Sequence, residues 1–95
     1  MIHYVLLKLK NGLTEETKAI FESTYASLTV ELDGLKSAEV RYNCVTRDQN
    51  MDVMVRMEMR DEAVLKEYIA HPLHVGLVNS TKEIVSTVIS FDYLP

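Results

Sequence analysis

A chain of 95 residues suits one small domain and is too short for two. With 47% hydrophobic and 25% charged residues it is neither disordered, collagenous nor low-complexity, and a net charge of −4 without a basic run makes it a poor nucleic-acid binder. The single cysteine, Cys44, excludes a disulfide framework and a Cys-based zinc site.

Two prolines and three glycines leave few breaks, so most of the chain should be regular structure. The first segment, Ile2-His3-Tyr4-Val5-Leu6-Leu7-Lys8-Leu9-Lys10, is rich in β-formers and has no helical stripe, so it reads as a strand. Its odd face carries His3, Val5, Leu7 and Leu9, and its even face Ile2, Tyr4 and Leu6. A strand apolar on both faces is usually covered on both sides. The stretch is short, ends in lysines and lacks a small-residue cleavage site, and no run of apolar residues is long enough to span a bilayer. The expected compartment is cytoplasmic, with no membrane partner.

Asn11-Gly12 ends the strand. Thr14 is a good N-cap, with Glu15 and Glu16 placed for the helix dipole. Phe21, Tyr25, Leu28 and Leu32 then follow helical spacing, which predicts a helix from about Glu15 to about Glu31 with a stop at Gly34. Ala38, Val40, Tyr42 and Cys44 alternate with polar residues, as do Val53, Val55, Met57 and Met59, and Arg47-Asp48-Gln49-Asn50 reads as the hairpin loop between them. Charge suggests that Arg41 faces Glu58 and Glu39 faces Arg60, although each such pair contributes only about 0.2–1 kcal/mol.

Asp61 caps a second helix carrying Val64, Leu65, Tyr68 and Ile69. His71-Pro72 breaks it, and Pro72 opens a third helix with Leu73, Leu77 and Val78 as its apolar residues. Val85, Thr87, Ile89, Phe91 and Tyr93 alternate along a last strand. The order β-α-β-β-α-β, with the second helix split, gives an α+β, ferredoxin-like fold: a four-stranded antiparallel sheet with helices on one face. On the other face Ile2, Tyr4, Leu6, Met54 and Val88 would be apolar among Glu39, Arg41, Arg56 and Glu58. This suggests a homodimer packed through the sheet face, as against a monomer with a partly wet sheet.

The densest polar cluster is Tyr68-Ile69-Ala70-His71-Pro72-Leu73-His74-Val75-Gly76. His74 falls in the first turn of the new helix, where the dipole favours a neutral imidazole that can act as a general base. A tyrosine hydroxyl nearby can donate to a developing oxyanion. His3, on the odd face of the first strand, can approach the same cavity. The same residues also fit a plain core, because buried Tyr and His often satisfy one another or the backbone, and His71 suits a capping role. His71 and His74 are three residues apart, but a catalytic zinc site wants three protein ligands and no clear third is in reach. Cys44, on the apolar face of its strand without an adjacent base, does not suit a nucleophile. No glycine-rich phosphate loop is present.

At these residues the chain resembles the stress-responsive dimeric α/β-barrel domain family, Dabb. The opening strand Ile2 to Lys10, the element Tyr68-Ile69-Ala70-His71-Pro72-Leu73-His74-Val75 and the ending Ile89-Ser90-Phe91-Asp92-Tyr93 carry the likeness, which runs the whole length in order. The resemblance implies a ferredoxin-like protomer and a homodimer whose two sheets form a barrel. A branch of plant polyketide cyclases resembles the chain most around the histidine element. That likeness implies no cofactor and no metal, Tyr68 and His74 as catalytic residues, and His3 and His71 as substrate-binding residues. A further pocket histidine of that branch corresponds here to Val53. Two functions follow as alternatives: a cofactor-free cyclase or lyase acting on a small, mostly apolar carbonyl compound, or a non-catalytic, stress-associated dimer that binds a small ligand. An enzyme on this plan needs an open cavity of about 300 Å³ or more, reached by both Tyr68 and His74.

Overall fold

A computed structural model describes residues 1–95. The elements run β1 (Ile2–Leu9), α1 (Glu15–Glu31), β2 (Leu35–Tyr42), β3 (Val53–Met59), α2 (Glu62–Ala70), α3 (Pro72–Thr81) and β4 (Val85–Tyr93). The strands form one antiparallel sheet in the order β2-β3-β1-β4. This is the ferredoxin-like arrangement that the element order predicts.

The helices start where the sequence supplies caps. Thr14 Oγ1 accepts from the Thr17 amide at 3.1 Å, and Asp61 Oδ1 accepts from the Val64 amide at 3.2 Å. From α1, Thr17, Phe21, Tyr25 and Leu28 are buried, a spacing that keeps one stripe on the sheet. Helix α1 ends at Glu31, and Gly34 shapes the turn that follows, with φ at 91°. A Cβ at Gly34 would lie 2.6 Å from Val64 Cγ2, so the lack of a side chain also lets α2 pack close. From β3, Val53, Val55, Met57 and Met59 are fully enclosed and form the centre of the core with Leu28, Phe21 and Val64.

The register differs from the charge-based expectation. Glu39 faces Arg56, Arg41 faces Met54, and Ser37 faces Glu58. Arg41 Nε instead reaches Glu39 Oε1 on its own strand at 3.0 Å. Apolar alternation decides: Ala38, Val40 and Tyr42 sit opposite Met57, Val55 and Val53, and this inward ladder outweighs exposed ion pairs. Cys44 is corrected as well. It lies beyond the end of β2 and is exposed, rather than on the apolar face of the strand.

The largest departure is in β4. Leu9 pairs with Val85 and Lys8 with Thr87, so the ladder skips Ser86. This bulge reverses which side each later residue takes. Val88 pairs with Leu7, Ser90 with Val5 and Asp92 with His3, all on the helix side. Ile89, Phe91 and Tyr93 pair with Leu6, Tyr4 and Ile2 on the outer side. Val88 therefore does not belong to the outer face, and Phe91, 65% exposed, does.

Candidate functional site

The α2–α3 break brings the signature residues together. His71 closes α2 and opens α3: its amide donates to the Tyr68 carbonyl at 3.1 Å, and its Nδ1 accepts from the Leu73 amide at 3.0 Å. An Nδ1 that accepts an N–H bond carries no proton, so the neutral His71 ring is protonated at Nε2. Nε2 lies 3.9 Å from Glu31 Oε1. His71 thus serves as the cap foreseen as its alternative role, and it does not line the cavity described next.

Between the helices and the sheet lies a half-enclosed cavity of about 230 Å³. Its polar wall holds His3 from β1, Tyr25 from α1, Tyr68 from α2 and His74 from α3, and its apolar wall includes Leu7, Phe21, Leu77 and Val88. Tyr68 and His74, six positions apart across the proline break, line one space. Their ring centres are 4.4 Å apart, and the His3 ring is 6.0 Å from Tyr68, edge to face. The volume falls short of the roughly 300 Å³ expected above for an enzyme on this plan. Val53 is buried in the core and takes no part in this wall.

His74 Nδ1 lies 3.0 Å from the Ile69 carbonyl. A carbonyl only accepts, so Nδ1 carries the proton and Nε2 is the basic nitrogen of the neutral ring. Tyr68 Oη is 2.7 Å from Tyr25 Oη. Burial pushes the Tyr68 hydroxyl well above its ordinary value, reinforced by charge and hydrogen bonding from Tyr25. Tyr25 is raised as well, mainly by burial, with the Tyr68 hydrogen bond opposing the shift. Both phenols therefore stay protonated at neutral pH and act as donors, not bases.

Two residues here lay outside the sequence-derived set. Tyr25 sits on the helical stripe and read as plain core. Asp92, whose Oδ1 contacts His3 Nδ1 across the β1–β4 ladder, was hidden by the bulge. Its signal in the sequence is faint: a polar alternation, Ser90 and Asp92, between apolar Ile89, Phe91 and Tyr93. No buried side-chain nitrogen or oxygen lacks a partner. No group of three or more His, Cys, Asp or Glu side chains is placed to hold a metal. No helix is long and apolar enough to cross a membrane.

The chain is similar to known proteins. Olivetolic acid cyclase from Cannabis sativa is 27% identical over 95 residues, covering 98% of this chain and 94% of that protein. A dimeric protein of ferredoxin-like fold from Bacteroides fragilis superposes with a TM-score of 0.80 at 23% identity, covering 97% of this chain and 92% of that one. Hydroxynitrile lyase from Passiflora edulis gives a TM-score of 0.76 at 11% identity, over 97% and 89% of the two chains. The family pattern of the stress-responsive A/B barrel domain matches residues 1–95, and the chain belongs to that family, Dabb.

Proposed function

We propose that this chain acts as a homodimer on a small, mostly apolar carbonyl compound, by cofactor-free acid/base chemistry of the cyclase or lyase type. The observation that carries this reading is the shared cavity wall, with the Tyr68 and His74 rings 4.4 Å apart and His74 tied through Nδ1 to Ile69. In this scheme His74 Nε2 removes a proton alpha to the carbonyl. On binding, the Tyr68 hydroxyl turns its hydrogen bond from Tyr25 Oη to the enolate oxygen, and Tyr25 then donates to Tyr68 Oη in return. His3 orients the substrate from the same polar wall, and His71 holds the angle between the two helices rather than the ligand. The apolar wall of Leu7, Phe21, Leu77 and Val88 selects a hydrocarbon portion. A cyclase and a lyase among the similar proteins support the reaction class.

The test is α-proton exchange or ring closure on polyketide-type substrates. His74→Ala should lower the rate by about 10²–10⁴-fold, the usual contribution of a positioned base. Tyr68→Phe should lower it by a smaller but clear factor. Unchanged rates in both variants reject the roles assigned.

A non-catalytic, stress-associated ligand-binding dimer is the second reading. The modest cavity of about 230 Å³ and the Tyr68 hydroxyl already engaged by Tyr25 favour it. Tight ligand binding without turnover, weakened equally in Tyr68→Phe and His74→Ala, decides for it.

The second copy belongs on the outer sheet face, where Tyr4, Leu6, Met54, Ile89 and Phe91 gather. The dimeric Bacteroides protein of the same fold supports this. Light scattering at micromolar concentration should give twice the 10.9 kDa chain mass, and Phe91→Asp should give the single chain. A wild-type monomer rejects the dimer. The cytosol is the compartment assigned under this reading.

A further inference from the structure

His3 stands between two hollows. Its ring borders the cavity of Tyr68 and His74, while its Nδ1 meets Oδ1 of Asp92. Asp92 in turn lines a second, wider hollow of about 530 Å³, together with Met1, Arg60 and Tyr93. The side chain of His3 is 8% exposed and that of Asp92 is 41% exposed. One partner is thus enclosed and the other open to water. A carboxylate only accepts, so Nδ1 of His3 carries the proton and Nε2 is the basic nitrogen of the neutral ring.

We infer that His3 and Asp92 form a proton route between the cavity and the second hollow, so that a bound ligand exchanges protons with solvent along the helix side of the sheet rather than past itself at the cavity mouth. The inference rests on the acid/base reading of the cavity. In the outward stroke the proton that His74 Nε2 has taken from the α-carbon passes to the enolate oxygen; that O–H bond then breaks as the proton bonds to His3 Nε2, and the electron pair stays on the ligand as an enolate. The Nδ1–H bond breaks as that proton passes to Asp92 Oδ1, and Asp92 releases a proton to water. The inward stroke is the reverse and restores the starting tautomer, so each exchange cycle closes. Asp92 acts through His3 and is a positioning residue.

The charged and titratable groups on both sides are few. On the cavity side Tyr25 from α1, Tyr68 from α2 and His74 from α3 share the wall with His3. On the outer side stand the Met1 ammonium, which donates to the Met59 carbonyl at 2.9 Å, and Arg60, Asp61, Glu62 and Tyr93. Arg60 is engaged by Asp61 at 3.3 Å, so the Asp92 carboxylate keeps access to water without a dedicated cation.

Asp92→Asn is the informative variant, because its amide oxygen still accepts from Nδ1–H but cannot take the proton. Magnetisation transfer from water to the His3 Nδ1 proton, measured by NMR without any ligand, should slow by about tenfold or more in Asp92→Asn. Equal exchange rates overturn the route, whatever the catalytic assay shows. In a second arm, a straight-chain methyl ketone is followed for α-proton exchange in heavy water. Asp92→Asn should lower kcat by about tenfold with KM unchanged, and formate should restore part of the rate in Asp92→Ala. A loss confined to KM, or no formate rescue alongside unchanged kcat, overturns the route. If the wild type exchanges no probe, the proposed catalysis fails while the NMR arm still decides the route.

Discussion

Alternate residues of β1 meet two different surroundings. On the helix side Leu7 and Leu9 join a closed core with Val55, Met57 and Met59, and the chain completes that packing by itself. On the outer side Tyr4 and Leu6 lie beside Met54, Ile89 and Phe91, and no helix covers them. Only Ile2 is fully buried there, between Glu58 and Tyr93 in the ladder. The contrast separates packing that the single chain completes from packing that it leaves open. The candidate chemistry sits on the self-sufficient side, where its groups keep their geometry without help from a partner.

That contrast can be broken by unfolding measurements over a range of protein concentrations. Met57→Ala removes a fully enclosed side chain and should cost about 2–5 kcal/mol at every concentration. If the proposed second copy sits on this face, Phe91→Ala should cost less as the protein is diluted, because that copy contributes only by mass action. Costs that ignore concentration in both variants would put the outer face on the same footing as the core. Gly34→Ala tests the inner side at its tightest point. A left-handed backbone costs a non-glycine residue about 1–2 kcal/mol, and the approach of Val64 Cγ2 at 2.6 Å adds to it. A melting temperature equal to wild type would show that α2 can shift away freely.

Alkaline pH sharpens the comparison from the other direction. Tyr25 and Tyr68 have their hydroxyls raised in the folded chain, so above about pH 10 the unfolded state loses protons first. Stability should be flat below that pH and then fall, by up to about 1.4 kcal/mol per pH unit for each buried tyrosine. Tyr42, pushed up to about 12 by desolvation and by Glu22, adds a smaller share that solvent screens. Urea titrations at several pH values should show a shallower fall in Tyr68→Phe. The smallest effect belongs to the outer charges. Glu39→Gln, which removes the partner of Arg41 and the residue facing Arg56, should change stability by about 0.2–1 kcal/mol and less at high salt.

The fold was legible because its signals are local and repeated. Caps at Thr14 and Asp61, the glycine after α1 and the His71-Pro72 break each fix one boundary, and the alternation in β2 and β3 marks the inward side. Tyr68, His74 and His3 could be drawn together because strand parity and a short helical break carry them there. What escaped depends on distant partners. The skipped Ser86 turns β4 over midway, and nothing in its own residues announces it. Val88 was therefore placed on the wrong side, and Asp92 went unseen as the partner of His3. The β2–β3 register escaped for a related reason, since weak exposed charges were weighed where buried side chains decide. The size of the cavity is a remainder left after packing and has no sequence signature.

His71 finishes one helix and begins the next with no spacer between them. The orientation of Tyr68 relative to His74 is accordingly held by a joint one residue long. Inserting a single amino acid in either adjoining turn would rotate one ring by about 100° about its axis and lift it about 1.5 Å along it. The length of this corner is therefore as much a part of the site as the two side chains it presents.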